Sequence, residues 1–430
     1  MFASFRNRWL IVVASIFGLM AVAGTVNTFA FAVFLKPVSA DLEIGRAAMA
    51  SGLLVSMAVC GVTTPFVGFL VDRWGARNIL LPGIPLFALS IAALSWLQAS
   101  PEVMYALFAV LGLFGAAQNT VPYATVISKW FDRQRGLALG ITMTGYGLGI
   151  VVVPQAVSLM IAAAGWRMAY VGLGSLVMLL AFIPVLLLVR EPAADVKRGD
   201  RRDNDVPGLT AAQVFTGQWR FWVMGIGFFL AIASTHGTLA HMVAMLTDRG
   251  IPEVQATAAL SATGFGAIVG RVFSGWCLDR FHGPSVAAAF CITTALGIGC
   301  LASGAVGAVP LLGALLCGAG LGAQVGMMAF FAGRYFGLKA YGTVFGAMFG
   351  MLLLGNGVGP FLGGLSFDLL HSYRPALIGF GICLLGVSLL FIPLGPYPFG
   401  ARDAAAPARR QPSVEPAEPI GTGVSAAVTT

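Results

Sequence analysis

The chain has 430 residues, of which 58% are hydrophobic and only 10% charged. Soluble globular domains carry about 25% charged residues, so this composition excludes a soluble enzyme. The net charge of +8 does not indicate nucleic acid, because the basic residues lie in short loops between apolar runs.

Those runs are long enough to cross a bilayer as helices and do not alternate as barrel strands would. Twelve spans are predicted, at 9–35, 47–71, 79–98, 103–127, 136–163, 168–189, 219–245, 255–277, 284–305, 309–333, 342–366 and 375–396. The first run is too long for a signal-peptide core and lacks a cleavage site, so it reads as a retained helix. The organisation expected is a six-helix bundle at 1–189, a cytoplasmic linker at 190–216, a second bundle at 217–397 and a disordered cytoplasmic tail at 398–430. The linker is charged and carries Pro and Gly; the tail is poor in bulky apolar residues.

Alternating the spans places nineteen Lys and Arg on one face. The opposite face receives only five: Lys36, Arg46, Arg167, Arg249 and Arg374. By the positive-inside rule both termini face the cytoplasm, in a plasma (inner) membrane. The six cysteines fall within apolar spans without metal-ligand spacing, and read as packing residues.

The two halves repeat. GFLVDRWG at 68–75 corresponds to GWCLDRFH at 275–282, and WFDRQRG at 130–136 to YFGLKAYG at 335–342. Pro154 corresponds to Pro360 and Trp166-Arg167 to Tyr373-Arg374, all at offsets of 205–207 residues. Parallel six-helix repeats are the mark of one transporter architecture.

GFLVDRWGARN at 68–78 resembles the loop motif between helices 2 and 3 of the major facilitator superfamily, G-x-L-x-D-R-x-G-R-[RK], with Asn78 in place of the last base. WFDRQRGLALGITMTGYG at 130–147 is similar to the start of helix 5 in monocarboxylate transporters, a neighbourhood that includes bacterial oxalate–formate exchangers. The helix-1 signature [DE]G[GS][WF][GA]W of that branch is not found. The resemblance implies an all-α membrane protein with twelve transmembrane helices in two pseudo-symmetric six-helix bundles.

Asp72, Arg73 and Arg77, with Asp279 and Arg280 in the second copy, are the candidate gating residues. They read either as a latch holding the halves together in the outward-facing state or as solvated loop charges, and their repetition favours the latch. The glycines of GAMFGMLLLGNGVGPFLGG at 346–364 read as close-packing positions around a bend at Pro360. His236 and His241 lie about 140° apart on a helix, so they form no i,i+4 metal pair; His236 is the cavity candidate.

Apart from Arg220 at the first turn of the seventh span, Arg271 is the one Lys or Arg inside a predicted span, about 12 Å from Asp279 along the axis. Such a charge either snorkels to the headgroups or faces a water-filled pathway, and its depth favours the pathway. The family's helix-8 arginine, which binds substrate carboxylate, maps onto Arg271. A guanidinium fork matches a carboxylate bidentately. Tyr123, Asn119, Tyr146, Asn27, Gln324, Asn356 and His236 supply further polar groups at similar depth. In the branch an aspartate commonly precedes the arginine by four residues, where this chain has Ala267; the deep spans carry no acid.

The expectation is a secondary transporter of a small organic monocarboxylate, working by alternating access, with protons or a counter-anion as further partners. It is expected to be monomeric in the lipid bilayer, with no nucleic-acid partner. No nucleotide loop, GxSxG or HExxH is present, so no enzyme activity, cofactor or metal is expected. A proton-coupled exporter of a drug or neutral metabolite, and a non-transporting sensor on the same fold, stay open.

Overall fold

The computed structural model describes residues 2–131, 135–189, 208–337 and 339–399, with the side chains of 2–7, 72, 128, 129 and 135–137 left out. Eleven apolar helical stretches among the described residues are long enough to cross a membrane. One of them, Ala138–Leu188, has 51 residues and would reach about 76 Å if straight, more than twice a hydrocarbon core. Gly165 breaks it with φ 75° and ψ 168°, a conformation that L side chains avoid. The stretch is therefore two spans, and the expected twelve are present.

The spans are α1 (Arg8–Asp41), α2 (Arg46–Val71), α3 (Ala76–Trp96), α4 (Pro101–Ile127), α5 (138–164), α6 (166–188), α7 (Trp219–Ala240), α8 (Glu253–Arg280), α9 (Gly283–Ala302), α10 (Ala308–Phe336), α11 (Tyr341–Leu370) and α12 (Arg374–Leu394). Most of the expected linker, 190–207, and the tail from 400 onward lie outside the described residues. The end of the linker is not featureless, contrary to its composition. Leu209 N–H donates to the Phe336 carbonyl, and Thr210 and Gln213 form a capping box on a short helix, Ala211–Gly217.

Two spans are broken in ways that hydropathy does not reveal. α1 loses helical bonding at Ala21–Val22 and then makes a π-helical turn at Val26–Ala30. α4 breaks at residues 116–119. Gln118 joins the two breaks. Its carbonyl accepts from Ala23 N–H at 2.9 Å, and its amide donates to the carbonyls of Gly18 and Ala21 at 3.0 and 3.4 Å. Backbone groups freed inside a membrane must find partners in the protein, and here one residue supplies them through its backbone carbonyl and its side-chain amide.

Within each half, small residues let backbones touch. A Cβ on Gly145 or Gly149 of α5 would overlap the carbonyls of Ile16 or Met20 on α1. The second half packs its helices in the same way. Gly359 of α11 abuts the Ala233 carbonyl of α7, and Gly318 and Gly322 of α10 abut Thr263 and Ala267 of α8. These are the small-xxx-small rows expected where helices pack without a hydrophobic driving force. Gly149→Ala is expected to cost about 1–3 kcal/mol by overpacking. Gly350→Ala, where nothing lies within 4 Å, should be neutral or gain up to about 1 kcal/mol of helix propensity. Melting temperatures of the two variants in one detergent check this, and the reverse order would refute the packing.

Candidate functional site

The two halves meet along α2–α11 and α5–α8, and their separation changes along the seam. At one end a Cβ on Gly364 would meet Ala47, and one on Gly357 would meet Leu54. Further along, Gly61 lies in ordinary contact with Leu353, at 3.6 Å. Beyond that point Gly68, Gly350 and Gly346 have nothing within 4 Å. The second seam does the same: Gly147 meets Ile268, whereas Gly140 and Gly275 face open space. The halves are thus closed at the end that carries Asp41, Asp248 and Asp368, and open at the end that carries the Asp72–Gly75 motif.

A polar latch holds the closed end. Arg46 pairs with Asp248, which also takes Lys36 at 2.8 Å. Arg46 donates to the Tyr373 hydroxyl at 2.6 Å and lies 3.7 Å over the Phe367 ring. Asp368 of α11 accepts from the backbone N–H groups of Arg46 and Ala47, at 3.0 and 2.8 Å. It therefore caps α2 from the other half, in place of Gly45, which has no side chain to do so. On the other seam Ser158 donates to Glu253, and Gln155 to Ser261.

Burial acts to raise the Asp248 carboxyl, but bonds and charges from Arg46 and Lys36 outweigh it and hold the group below the ordinary carboxylate range. A lowered value in the latched state means that the ion pairs contribute fully above the unlatched value. They are lost only as pH falls through the lowered one. Asp248 therefore adds no pH dependence between about pH 5 and 8. The pH profile of latch opening, read by cysteine labelling, should keep its slope in Asp248→Asn while shifting in level.

Inside the open end lies a cleft of about 530 Å³ between α5 and α8. Arg271 lines it together with Met143, Thr144, Tyr146, Val272 and Trp276. Nη1 of Arg271 donates across the seam to the Met143 carbonyl at 3.0 Å, and Nε reaches the Gly322 carbonyl of α10 at 3.5 Å. No salt bridge to Arg271 exists among the described residues. The guanidinium thus rests on neutral carbonyl dipoles from both halves. Tyr146 and Arg271 interact electrostatically, and the Tyr146 ring lies against Gly24, beside the break in α1.

A second polar group lies between the cleft and the latch. Asn27 sits in the π-turn of α1, and its amide donates to Ser56 at 3.4 Å. Gln324 donates to Thr235 at 3.4 Å, next to His236. His236 lies beside Asn356 and edge-on to Phe29, whose ring centroid is 6.2 Å away. Among the described residues, the side-chain oxygens of Asn27 and Gln324 are buried without a hydrogen-bond partner, and the His236 ring and the Asn356 side chain have only one another. Orphaned buried polar atoms cost about 1–3 kcal/mol each, so a cluster of them along the seam marks a place adapted to binding.

Of the residues singled out by sequence, Arg271 and Tyr146 share the cleft, and Asn27, His236, Gln324 and Asn356 share the second group. Tyr123 joins neither. It is fully buried, donates to Gln118 at 2.9 Å and fills the notch at Gly18. Asn119 caps the second part of α4 through the Thr120 N–H. His241 bonds the Pro360 carbonyl and packs on Tyr373, within the latch region. Among the motif residues, Arg280 lies over Trp276 and Arg77 donates to the Leu186 carbonyl. Arg73 and Asp279 are exposed, and the Asp72 side chain lies outside the described residues. Sequence reading missed the latch of Lys36, Arg46, Asp248 and Asp368. Its one visible signal was opposite charge at the ends of spans from opposite halves.

The family model described as Major Facilitator Superfamily matches residues 15–360 and 245–424. Monocarboxylate transporter 11 of Homo sapiens is 27% identical over 357 residues, covering 79% of this chain and 73% of that protein. The oxalate:formate antiporter of Oxalobacter formigenes is 27% identical over 232 residues, about half of each chain (52%). The crystal structure of a bacterial homologue of the human lysosomal transporter Spinster shares the fold, with a TM-score of 0.70 at 17% identity over 90% of this chain and 96% of that one. With twelve spans in two repeated halves and a family match over most of its length, the chain belongs to the major facilitator superfamily of membrane transporters.

Proposed function

We propose that this transporter carries small organic monocarboxylates across the inner membrane by alternating access, with Arg271 as the carboxylate anchor. The motif end and both termini would face the cytoplasm, as the distribution of Lys and Arg favours. The observation that carries the reading is Arg271 itself. It is a cation deep in the seam between the halves, bonded among the described residues only to carbonyls on α5 and α10.

Mechanistically, a carbonyl dipole is a weak partner for a guanidinium, and a carboxylate is a strong one. A substrate carboxylate entering from the open end would replace the Met143 carbonyl and form the two parallel bonds that the fork allows. Arg271 would then release its bond to α5, so that occupancy changes what joins the halves. A single cation favours a monoanion over a dianion. Tyr146 would orient the anion, and the group around His236 and Asn356 would meet the substrate as the seam closes behind it. The monocarboxylate and oxalate:formate relatives support an anionic substrate.

The test is uptake by purified protein in liposomes of labelled monocarboxylates, dicarboxylates and neutral amides of the same skeleton. Saturable flux of monocarboxylates alone is expected. Equal flux of the amides would remove the anion from the mechanism.

A further inference from the structure

We infer that the cleft is built for a monocarboxylate with a compact apolar body, ring-shaped or branched, rather than for a two- or three-carbon hydroxy or keto acid. The inference rests on Arg271 as the anchor and adds what lies beyond the carboxylate. Around the guanidinium the walls are apolar: Ile141 and Met143 on α5, and Ile268, Val272 and Trp276 on α8. The Thr144 hydroxyl proton is engaged with the Ile141 carbonyl at 2.7 Å. Of the groups lining the cleft, Tyr146, Arg271 and the Trp276 indole N–H are then left to address a ligand. The rest of the wall is hydrocarbon that a two- or three-carbon acid would leave uncovered.

Size points the same way. A cleft of about 530 Å³ is in the range that takes ligands of roughly drug size, about 300–1,000 Å³. Two glycines keep it wide. Gly140 and Gly275 face it from opposite walls, inside helices, with nothing within 4 Å of where a Cβ would stand. A mid-helix glycine costs about 1 kcal/mol relative to alanine. At the α5–α8 contact itself Gly147 and Gly264 are matched by a close backbone or side-chain neighbour, whereas Gly140 and Gly275 are matched by space. Trp276 lines the cleft on the side of the open end, with Phe273 stacked on its ring and Arg280 over it.

The test is equilibrium binding to the full-length protein in lipid nanodiscs, read by tryptophan quenching and calorimetry. The probes are acetate, lactate, benzoate, phenylacetate and 3-phenylpropionate, with phenylacetamide as the neutral control. Affinity should rise roughly two- to fourfold per buried carbon across the acids, with lactate no tighter than acetate. Phenylacetate should bind at least tenfold more tightly than its amide. Gly275→Leu should weaken 3-phenylpropionate at least tenfold and leave lactate within twofold.

If the acids beat the amide but lactate equals 3-phenylpropionate, the apolar-body assignment fails while the anchor stands. If the amide binds as well as the acid, the anchor itself fails. Equal loss of both ligands in Gly275→Leu would mean that the glycine serves helix approach, and would overturn the inference. So would an affinity that keeps rising to a sixteen-carbon acid, which would point to a membrane-borne fatty acid instead. Should Gly275→Leu not fold, the wild-type series still decides.

Discussion

Replacing Arg271 by alanine should weaken carboxylate binding by roughly 30- to 5,000-fold, with transport lost to match. Truncating one partner of a desolvated, hydrogen-bonded charge pair costs about 2–5 kcal/mol, much of it from the other charge left unpaired. Folding should not suffer. In the structure Arg271 bonds only to carbonyls that are also helix acceptors, and a lone cation inside the membrane is itself unfavourable by at least ~2.5 kcal/mol. The melting temperature of Arg271→Ala should therefore equal or exceed that of wild type, while affinity collapses. Arg271→Lys keeps the charge and loses the fork, so it should fall between, nearer to alanine. A structural arginine would give the opposite pattern, with stability lost and affinity for the same anion retained.

The spans and their repetition could be read from the sequence, because both are local properties: apolar length, and motifs at a nearly constant offset. Arg271 was legible for the same reason, as a charge where hydropathy permits none. What the sequence could not give was rotation about each helix axis. Tyr123 and Tyr146 look equivalent by depth, yet one turns into the notch at Gly18 and the other into the cleft. The breaks in α1 and α4 were hidden because their cause is tertiary. Gln118, within the break of α4, reaches the break of α1 97–100 residues away, and neither Pro nor Gly stands at residues 21–22 or 116–119. The latch was hidden likewise: its partners Arg46, Asp248 and Asp368 are 202–322 residues apart. Sequence put the gating charges at the motif end. The structure is open there, so the motif's role belongs to the opposite conformation, and the closed end is held by other residues.

The latch carries the second large expectation. Asp368→Ala should shift the protein away from the conformation seen here, by about 1–3 kcal/mol, or roughly 5- to 150-fold in the ratio of the two states. Two effects add at this residue. Its carboxylate accepts the first free N–H groups of α2, at Arg46 and Ala47, and it places a negative charge at the positive end of that helix. Both effects cross the boundary between the halves, so they stabilise only the state in which that end is shut. Gly45 cannot replace the cap, having no side chain. Asp368→Asn keeps one acceptor oxygen and loses the charge, and should show a smaller shift. The measurement is labelling of a cysteine introduced at Gly68, where the seam is open and nothing lies within 4 Å. Labelling at Gly68 should fall in Asp368→Ala as the motif end closes more often, while a cysteine at Leu54, now packed against Gly357, becomes reactive. The two sites must move in opposite directions. If both became more reactive, the substitution would have loosened the protein rather than shifted a two-state equilibrium, and the capping contact would be a structural bond instead of a gate.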